Sequence, residues 1–332
     1  MTREVVVLAT PVLGVPLAPE HVARIESVPG VHVVQISRDG HVHSDAGADE
    51  LLARAEVLLR GGIAAGVLDH LIARAPRLAW IHSAAAGVER VATPAVRARG
   101  LTVTNARGVF SRPIAEYVVM MVLAIARRLP QLLELQRERT WQPLRGTELA
   151  NQTVGIIGYG SIGSEVAQLL EPFGTRILAT RRHPDLGSGD RSNVELLGQD
   201  QLDRLLAESD VVVVATPLTE DTAGFIGAPQ LQRMRETAWI INIARGRLVD
   251  ESALRRALEQ GWIGGAVLDV FTEEPLAPDS PLYSAPNLII TPHTSWASDR
   301  VADRTVELFV ENLRRYVAGE QLANVVDLEA GY

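Results

Sequence analysis

The sequence predicts an α/β protein with two doubly wound parallel sheets in tandem. Strand-like and helical patterns alternate through the first hundred residues, and the alternation begins again at Thr153. A glycine-rich turn joins the first strand of the second half to its first helix. Such alternation is typical of parallel sheets that crossover helices cover on both faces. The 332 residues are enough for two domains of about 150 residues each.

The first half contains five apolar runs of strand type, at residues 5–9, 31–36, 56–59, 78–82 and 101–104. Helical patterns lie between them, for example at residues 19–27 and 48–54. This alternation is complete before the glycine-rich turn begins. It therefore indicates a first α/β domain that is separate from the second.

A long helix is predicted over residues 111–129, between the two halves. Pro113 suits its first turn, and Pro130 is expected to end it. Residues 132–146 are polar and contain Trp141. This segment is either an arm that packs on a partner subunit or a solvated connector, and the sequence leaves both interpretations open.

The second half has six strand-like runs, at residues 154–157, 176–180, 211–215, 238–242, 265–269 and 288–291. The unbroken β-branched run at residues 211–214 is typical of a central parallel strand that is buried on both faces. Residues 182–193 are rich in Gly, Asp and Ser, which indicates a surface loop. An amphipathic pattern over residues 298–318 predicts a single final helix.

Composition excludes several classes of function. The net charge of −8 argues against a nucleic-acid partner, because phosphate binding needs a basic surface. The chain has no cysteine, which excludes disulfides and thiolate metal ligands and fits a cytoplasmic protein. The apolar stretch at residues 117–126 is about half the ~20 residues that span a membrane. We therefore expect a cytoplasmic protein with neither a metal site nor a membrane segment.

The turn after the strand at residues 154–157 has the spacing G-x-G-x-x-G, formed by Gly158, Gly160 and Gly163. The first glycine permits the tight turn, the second lets the backbone approach a pyrophosphate, and the third lets the helix pack on the sheet. Free N–H groups at the helix N-terminus then face the phosphates. This setting favours a dinucleotide-binding turn over an unrelated glycine-rich turn, with further cofactor contacts expected at Tyr159, Ser161 and Ile162.

The residues after the second strand bear on the choice of cofactor. NAD-specific sites usually have an acidic residue there, which binds the ribose 2′-hydroxyl. Here the position holds Arg181, followed by Arg182, and the next carboxylate is Asp185. Two guanidinium groups can clamp a 2′-phosphate, so the sequence favours NADP over NAD. The alternative is two ordinary surface arginines, with NAD bound through other loop contacts.

Three polar segments follow the later strands of the second half. Arg245 follows one strand, Asp269 and Glu274 follow the next, and His293 follows the last. In open α/β sheets, ligands bind at the carboxyl ends of the strands. We therefore expect these side chains to converge on the cofactor site.

The ordered motifs resemble the D-isomer-specific 2-hydroxyacid dehydrogenase family, with which glyoxylate/hydroxypyruvate reductases are grouped. The resemblance covers nearly the whole chain. Besides the glycine-rich turn, it is carried by AAGVE (85–89), AE (115–116), ATPLT (215–219), NIARG (242–246), LDVFTEEP (268–275) and TPH (291–293). The set in this order is far more specific than any one of its motifs.

The resemblance implies that Arg245, Glu274 and His293 are the catalytic residues. The planar guanidinium of Arg245 suits the carboxylate and carbonyl of a 2-oxo acid. His293 would protonate the carbonyl oxygen during reduction, and Glu274 would orient the imidazole and stabilise its charged form. Glu274 is preferred to Glu273 because it precedes Pro275. Taken singly, each has another interpretation: Arg245 could form a surface ion pair, Glu274 could lie in a solvated loop, and His293 could cap the strand.

The resemblance also implies how substrate and cofactor bind. Backbone N–H groups at Ala86 and Gly87 would hold the substrate carboxylate, because small residues let the main chain approach closely. Arg245 and His293 would complete the substrate-binding site. Asp269 would face the nicotinamide carboxamide. Other cofactor contacts are expected at Thr216, Pro217, Ile243 and Ala244.

The family architecture implies a flavodoxin-like substrate domain, residues 1–105 plus 298–332, and a Rossmann cofactor domain, residues 106–297. The active site would lie in the cleft between them. A homodimer through the cofactor domain is also implied, with the arm around Trp141 as the candidate contact.

The implied activity is NAD(P)H-dependent reduction of a small 2-oxo acid, such as glyoxylate or hydroxypyruvate, to the D-2-hydroxy acid. Two alternatives stay open: an NAD-linked D-2-hydroxyacid or phosphoglycerate dehydrogenase, and a dinucleotide-sensing, corepressor-like binding protein. Trp296 stands where family members often have a small-residue run with glycine. It either narrows the pocket or anchors the last helix, so the substrate's side chain is left open.

Overall fold

The chain folds into two compact units. The computed structural model describes residues 4–12, 14–42, 47–88, 90–182 and 193–328. One unit comprises Met1–Phe110 with Ser298–Tyr332, and the other comprises Ser111–Ala297. Within the described residues, each unit contains one sheet whose strands pair in parallel. The predicted α/β class with two parallel sheets is confirmed.

The strands of the described residues are short and apolar. In chain order they are β1 (Val5–Ala9), β2 (Val31–Gln35), β3 (Ala55–Arg60), β4 (Trp80–Ser83), β5 (Thr102–Asn105), β6 (Thr153–Ile157), β7 (Arg176–Thr180), β8 (Val194–Leu197), β9 (Val211–Val214), β10 (Trp239–Asn242), β11 (Gly265–Leu268) and β12 (Leu288–Ile290). The first unit has the order β2-β1-β3-β4-β5, and the second has β12-β11-β10-β9-β6-β7-β8.

Helices connect most of these strands. In chain order they are α1 (Pro19–Glu26), α2 (Ala48–Arg54), α3 (Ala65–Arg74), α4 (Pro94–Ala98), α5 (Ser111–Ala126), α6 (Leu129–Arg137), α7 (Ser161–Leu170), α8 (Leu202–Glu208), α9 (Ala228–Arg233), α10 (Glu251–Glu259) and α11 (Val301–Ala318). Among the described residues, none of these helices is both long enough and apolar enough to cross a membrane.

The sheet of the first unit is covered on both faces. The central strands β1 and β3 are buried along their whole length, as parallel strands between two helical layers are expected to be. The final helix α11 belongs to this unit, where Phe309 stacks on Trp80 of β4 with ring centroids 5.4 Å apart. Ala106 and Val109 pack against Val301 of the same helix. The first unit therefore extends to Phe110, whereas the sequence predicts a first domain that ends at residue 105.

The second unit is a doubly wound sheet whose strand order reverses next to β6. From β6 the chain runs outward through β7 and β8, then returns to the other side of β6 and continues from β9 to β12. All four valines of β9 are buried, which agrees with the prediction of a central strand. Ligands bind at the carboxyl edge beside such a reversal, because neighbouring loops diverge there and leave a crevice.

The segment after α5 differs from the sequence prediction. The helix ends at Ala126 rather than at residue 129, and Arg128 adopts a left-handed backbone with φ of 55°. Pro130 then lies in the first turn of α6 instead of ending the previous helix. A first-turn proline is tolerated because its missing N–H would have no partner inside the helix. The predicted polar segment therefore begins inside a second helix.

Strand β8 was not predicted. Among the described strands it pairs with β7 alone, at the edge of the second sheet. Residues 183–192 of the predicted surface loop, including Asp185, lie outside the described residues, and so does Glu89.

Candidate active site

The glycine-rich turn lies between β6 and α7. Gly158 has φ of +103°, and a Cβ on it would lie 2.7 Å from the carbonyl oxygen of Ala215. A Cβ on Gly163 would lie 2.3 Å from the carbonyl oxygen of Gly158. A Cβ on Gly160 would have no atom within 4 Å. The first and third glycines therefore serve the turn and the helix packing, and Gly160 borders open space.

Thr180, the last residue of β7, holds this turn. Its hydroxyl accepts a hydrogen bond from the N–H of Gly158 at 3.3 Å, and its carbonyl accepts one from Tyr159 at 2.8 Å. Tyr159 is buried, whereas Gly160 and Ser161 at the start of α7 are exposed. The early N–H groups of a helix have no acceptor inside it, so Ser161 and Ile162 belong to an edge suited to an anion.

Arg181 and Arg182 continue directly from β7. The N–H of Arg181 donates to the carbonyl of Leu197 at 3.1 Å, which ties this backbone to β8. The side chain of Arg181 is half-buried and that of Arg182 is exposed. Both arginines follow the strand next to β6, beyond the turn.

The other predicted residues of the second unit follow β9, β10, β11 and β12, on the opposite side of β6. Thr216 and Pro217 come after β9, Arg245 after β10, and His293 after β12. These strands are parallel and adjacent, so their carboxyl ends lie at one edge of the sheet. The prediction that these segments share an edge therefore agrees with the fold.

Arg245 sits in a turn that Asn242 organises. The buried amide of Asn242 donates to the carbonyl of Arg245 at 2.9 Å and accepts from the N–H of Ala244 at 3.1 Å. Ile243 is buried and Ala244 is half-buried. The next residue, Gly246, packs so closely that its Cβ would lie 1.9 Å from the carbonyl carbon of Phe271. The arginine turn is thus pressed against the segment that leads to Glu274.

Glu274 and His293 form a direct pair. One Glu274 oxygen, Oε2, lies 2.7 Å from Nδ1 of His293, and the other accepts the N–H of Phe271 at 3.0 Å. A carboxylate only accepts hydrogen bonds, so Nδ1 carries the proton and Nε2 is left for another partner. The two side chains are 36% and 41% exposed, which leaves them accessible. Glu273 makes no hydrogen bond within the described part of the chain.

Asp269 organises the segment around His293. Its side chain is fully buried, and its Oδ1 accepts the Thr291 hydroxyl at 2.6 Å and the N–H of Thr294 at 2.9 Å. Its Oδ2 accepts a hydrogen bond from the N–H of Ser295 at 2.9 Å. The backbone carbonyl of Asp269 accepts one from the N–H of His293 at 2.8 Å. The predicted contact between Asp269 and the nicotinamide stays a prediction.

Ala86 and Gly87 follow β4 in the first unit. The side-chain amide of Asn105, at the end of β5, donates to the carbonyl of Ala86 at 2.8 Å, and Ala106 donates to that of Ala85 at 3.1 Å. Ala86 is exposed and Gly87 is half-buried. Sequence reasoning missed Asn105 and Asn242, although both are polar residues at strand ends, the same signal that identified Arg245. Across the described residues, no cluster of His, Asp and Glu could hold a metal ion.

Fold and site together define a class, the Rossmann-type oxidoreductases, in which a nicotinamide dinucleotide binds at the carboxyl edge of the sheet. The model of the D-isomer specific 2-hydroxyacid dehydrogenase NAD-binding domain matches residues 119–295. The chain belongs to this family. It is therefore an NAD(P)-dependent oxidoreductase of the D-2-hydroxyacid dehydrogenase type.

Individual relatives agree with this assignment. A glyoxylate reductase of Korarchaeum cryptofilum is 38% identical over 267 residues, which are 77% of this chain and 78% of that protein. A D-isomer specific 2-hydroxyacid dehydrogenase from Xanthobacter autotrophicus Py2, solved with NADPH and MES, has a TM-score of 0.84 at 30% identity and covers 99% of this chain and 100% of its own. An NADPH-dependent glyoxylate/hydroxypyruvate reductase from Sinorhizobium meliloti, solved with NADP and sulfate, has a TM-score of 0.81 at 28% identity with the same coverage.

Proposed function

We propose that this protein reduces a small 2-oxo acid, of the glyoxylate or hydroxypyruvate type, to the D-2-hydroxy acid with NADPH as the hydride donor. The observation that carries the proposal is the 2.7 Å pair between Glu274 and His293, beside the turn that bears Arg245. In such a pair the carboxylate stabilises the protonated imidazole, which can then deliver its proton to an oxygen. The glyoxylate reductases among the relatives support the substrate class.

The residues of this chain divide the work of the reduction. When bound, the dihydronicotinamide would supply the hydride for the carbonyl carbon. The Arg245 guanidinium pairs with the substrate carboxylate and carbonyl oxygen through its planar fork. His293 donates its Nε2 proton to the carbonyl oxygen as negative charge develops there, and Glu274 stabilises the imidazolium before this transfer. In the reverse direction, His293 takes the proton back.

The two domains have different roles in this proposal. The first unit binds the substrate, whose carboxylate is held by N–H groups at Ala86 and Gly87. The second unit binds the dinucleotide, with its pyrophosphate at Gly160, Ser161 and Ile162. The exposure of Ala86 and the open space at Gly160 support these assignments.

The preference for NADP rests on Arg181 and Arg182. They follow β7, where NAD-specific sites usually have a carboxylate. Planar guanidinium groups hold a 2′-phosphate with charge-assisted hydrogen bonds, whereas a carboxylate would repel it. The relatives from Xanthobacter autotrophicus and Sinorhizobium meliloti were solved with NADPH and NADP. NAD remains usable, because the glycine turn does not distinguish the two cofactors.

We also propose a cytoplasmic homodimer that forms through the cofactor domain. Several large apolar side chains are exposed on α5, on α6 and in the segment that follows: Met120, Leu129, Leu132, Leu133 and Trp141. Trp141 is 101% exposed, which is costly for an indole in water. A second copy of the chain would cover this surface, and Trp141→Ala would then favour the monomer in sedimentation velocity.

Cofactor oxidation tests the proposed activity. Purified protein is mixed with glyoxylate, hydroxypyruvate, pyruvate or phenylpyruvate, each with NADPH and with NADH, and the loss of cofactor absorbance is followed. Fast turnover of a small acid with NADPH is expected. Preference for NADH would contradict the assignment of Arg181 and Arg182 but leave the dehydrogenase intact. Tight dinucleotide binding without turnover of any acid would instead favour the dinucleotide sensor.

A further inference from the structure

A chain of hydrogen bonds links α5 to the segment that carries His293. The Tyr117 hydroxyl on α5 lies 2.7 Å from the Thr291 hydroxyl, which follows β12. Thr291 in turn lies 2.6 Å from Oδ1 of Asp269, which follows β11. Three elements of the second unit are joined in this way, and Tyr117 is 174 residues from Thr291 in the sequence.

The direction of this chain is fixed by chemistry. The Asp269 carboxylate only accepts hydrogen bonds, so the single hydroxyl proton of Thr291 points to it. The remaining lone pairs of Thr291 can then only accept, so Tyr117 is the donor. Burial is the largest cause that raises the pKa of Tyr117 to about 12, so the phenol keeps its proton at working pH.

The end of this chain determines where His293 lies. Asp269 binds the segment both before and after the histidine, through Thr291, Thr294 and Ser295. His293 itself has φ of 50°, a left-handed conformation that crowds a residue with a Cβ. Such a conformation persists only where the surroundings hold it by several contacts at once. The carboxylate of Asp269 supplies three of those contacts.

We propose that Tyr117 is a positioning residue for His293, acting through Thr291 and Asp269. The hydroxyl of Tyr117 holds Thr291 in the rotamer that donates to Asp269, and this keeps the left-handed turn in place. The imidazole then stays where Glu274 pairs with Nδ1 and Nε2 faces the substrate. The expected effect of Tyr117 on turnover rests on the proposed function, in which His293 is catalytic. Its expected effect on the position of the segment does not.

Kinetics of four variants test the proposal. Tyr117→Phe keeps the ring and removes the donor, and should lower kcat about 5-fold with little change in KM, as expected for loss of one neutral hydrogen bond. Thr291→Val should lower kcat further, and Thr291→Ser, which keeps the hydroxyl, should restore most of it. Tyr283→Phe is the matched control, because Tyr283 is exposed in the same unit. Unchanged kcat in Tyr117→Phe would overturn the proposal.

The double variant separates positioning from packing. If Tyr117 acts through Thr291, the Tyr117→Phe change should have no further effect in a Thr291→Val background. Multiplicative losses in kcat would mean that the two residues act independently, which would overturn the proposal.

A measurement that does not depend on turnover distinguishes this inference from the proposed function. The N–H groups of Thr294 and Ser295 donate to Asp269, so their hydrogen exchange reports how firmly the segment is held. Tyr117→Phe should speed this exchange about 5-fold, and Tyr283→Phe should leave it unchanged. If the wild type turned over no 2-oxo acid while exchange responded, the proposed function would fail and the positioning role would stand. Unaltered exchange in Tyr117→Phe would overturn the positioning role.

Discussion

The Glu274 carboxylate lies 2.7 Å from Nδ1 of His293, and its second oxygen is anchored by the N–H of Phe271. This double attachment turns an exposed loop glutamate into a fixed partner of the imidazole. It also distinguishes Glu274 from its neighbour Glu273, which makes no such contact with any residue that the structure describes.

The two neighbouring glutamates should therefore respond differently to the same change. Glu274→Gln removes the charge that stabilises the imidazolium and should lower kcat about 10- to 100-fold, as loss of a carboxylate that orients a metal-bound histidine does. Glu273→Gln is the matched control and should change kcat less than about 2-fold. Initial rates over a range of pH measure both. Loss of activity with a shifted pH profile in Glu273→Gln alone would reverse the assignment.

Arg181 and Arg182 should determine the choice between cofactors. Arg181→Ala removes one charge-assisted contact to the 2′-phosphate and should raise the KM for NADPH about 10-fold or more, with the KM for NADH nearly constant. Arg182→Ala should act in the same direction. Arg256→Ala on α10 is the control, because it removes an equal charge from an exposed position. Equal effects on both cofactors would show that the arginines do not read the phosphate.

Two glycines of the same turn should separate stability from binding. A Cβ on Gly163 would meet the carbonyl of Gly158, so Gly163→Ala should lower the free energy of unfolding by about 1–3 kcal/mol. A Cβ on Gly160 has open space, so Gly160→Ala should leave Tm nearly constant and weaken NADPH binding. Thermal unfolding and fluorescence titration measure the two effects. The opposite pattern would contradict the roles given to these glycines.

His82 should make the protein sensitive to acid. It is fully buried on β4, with Nδ1 2.8 Å from the Thr104 hydroxyl, and burial lowers the pKa of His82 to about 3. The unfolded chain binds this proton below about pH 6.5, whereas the folded chain does not until about pH 3. Stability should therefore fall as pH drops through this window, by at most about 1.4 kcal/mol per pH unit.

Urea unfolding between pH 4 and pH 7 checks this effect. In His82→Asn, the free energy of unfolding should fall less steeply as the pH decreases. The difference in slope should correspond to about one proton bound on unfolding. His70→Asn, at an exposed histidine, is the control. Equal slopes in the wild type and His82→Asn would contradict the account.

Most of the fold could be predicted because its strands are short, apolar and strongly patterned. The run at Val211–Val214 reads as a buried central strand and is one. The sequence does not predict β8 because Val194–Leu197 contains Glu195. The strand lies at an edge of the sheet, where it is less buried and need not be a continuous apolar run. The sequence does not decide the role of Pro130, because a proline can stand in the first turn of a helix as well as after its end.

The edge of the sheet at which the candidate residues lie could also be predicted, since strand ends of a parallel sheet meet at one edge. Polar residues at these strand ends, among them Arg245, Asp269 and His293, are therefore candidates from the sequence alone. The sequence could not show the bond between Tyr117 and Thr291, because no local pattern records a contact between a helix and a strand end so far apart in the chain. It also could not show that three donors converge on Asp269, which depends on the path of the backbone around His293.

The most direct test of the central claim compares the wild type with His293→Ala. Both are assayed for NADPH oxidation with glyoxylate and hydroxypyruvate, and both are titrated with NADPH to measure Kd. Because a general acid contributes about 10²- to 10⁴-fold, His293→Ala should lose at least about 100-fold in kcat while its Kd for NADPH changes little. A variant that keeps more than about a tenth of the wild-type kcat would contradict the claim that His293 transfers the proton.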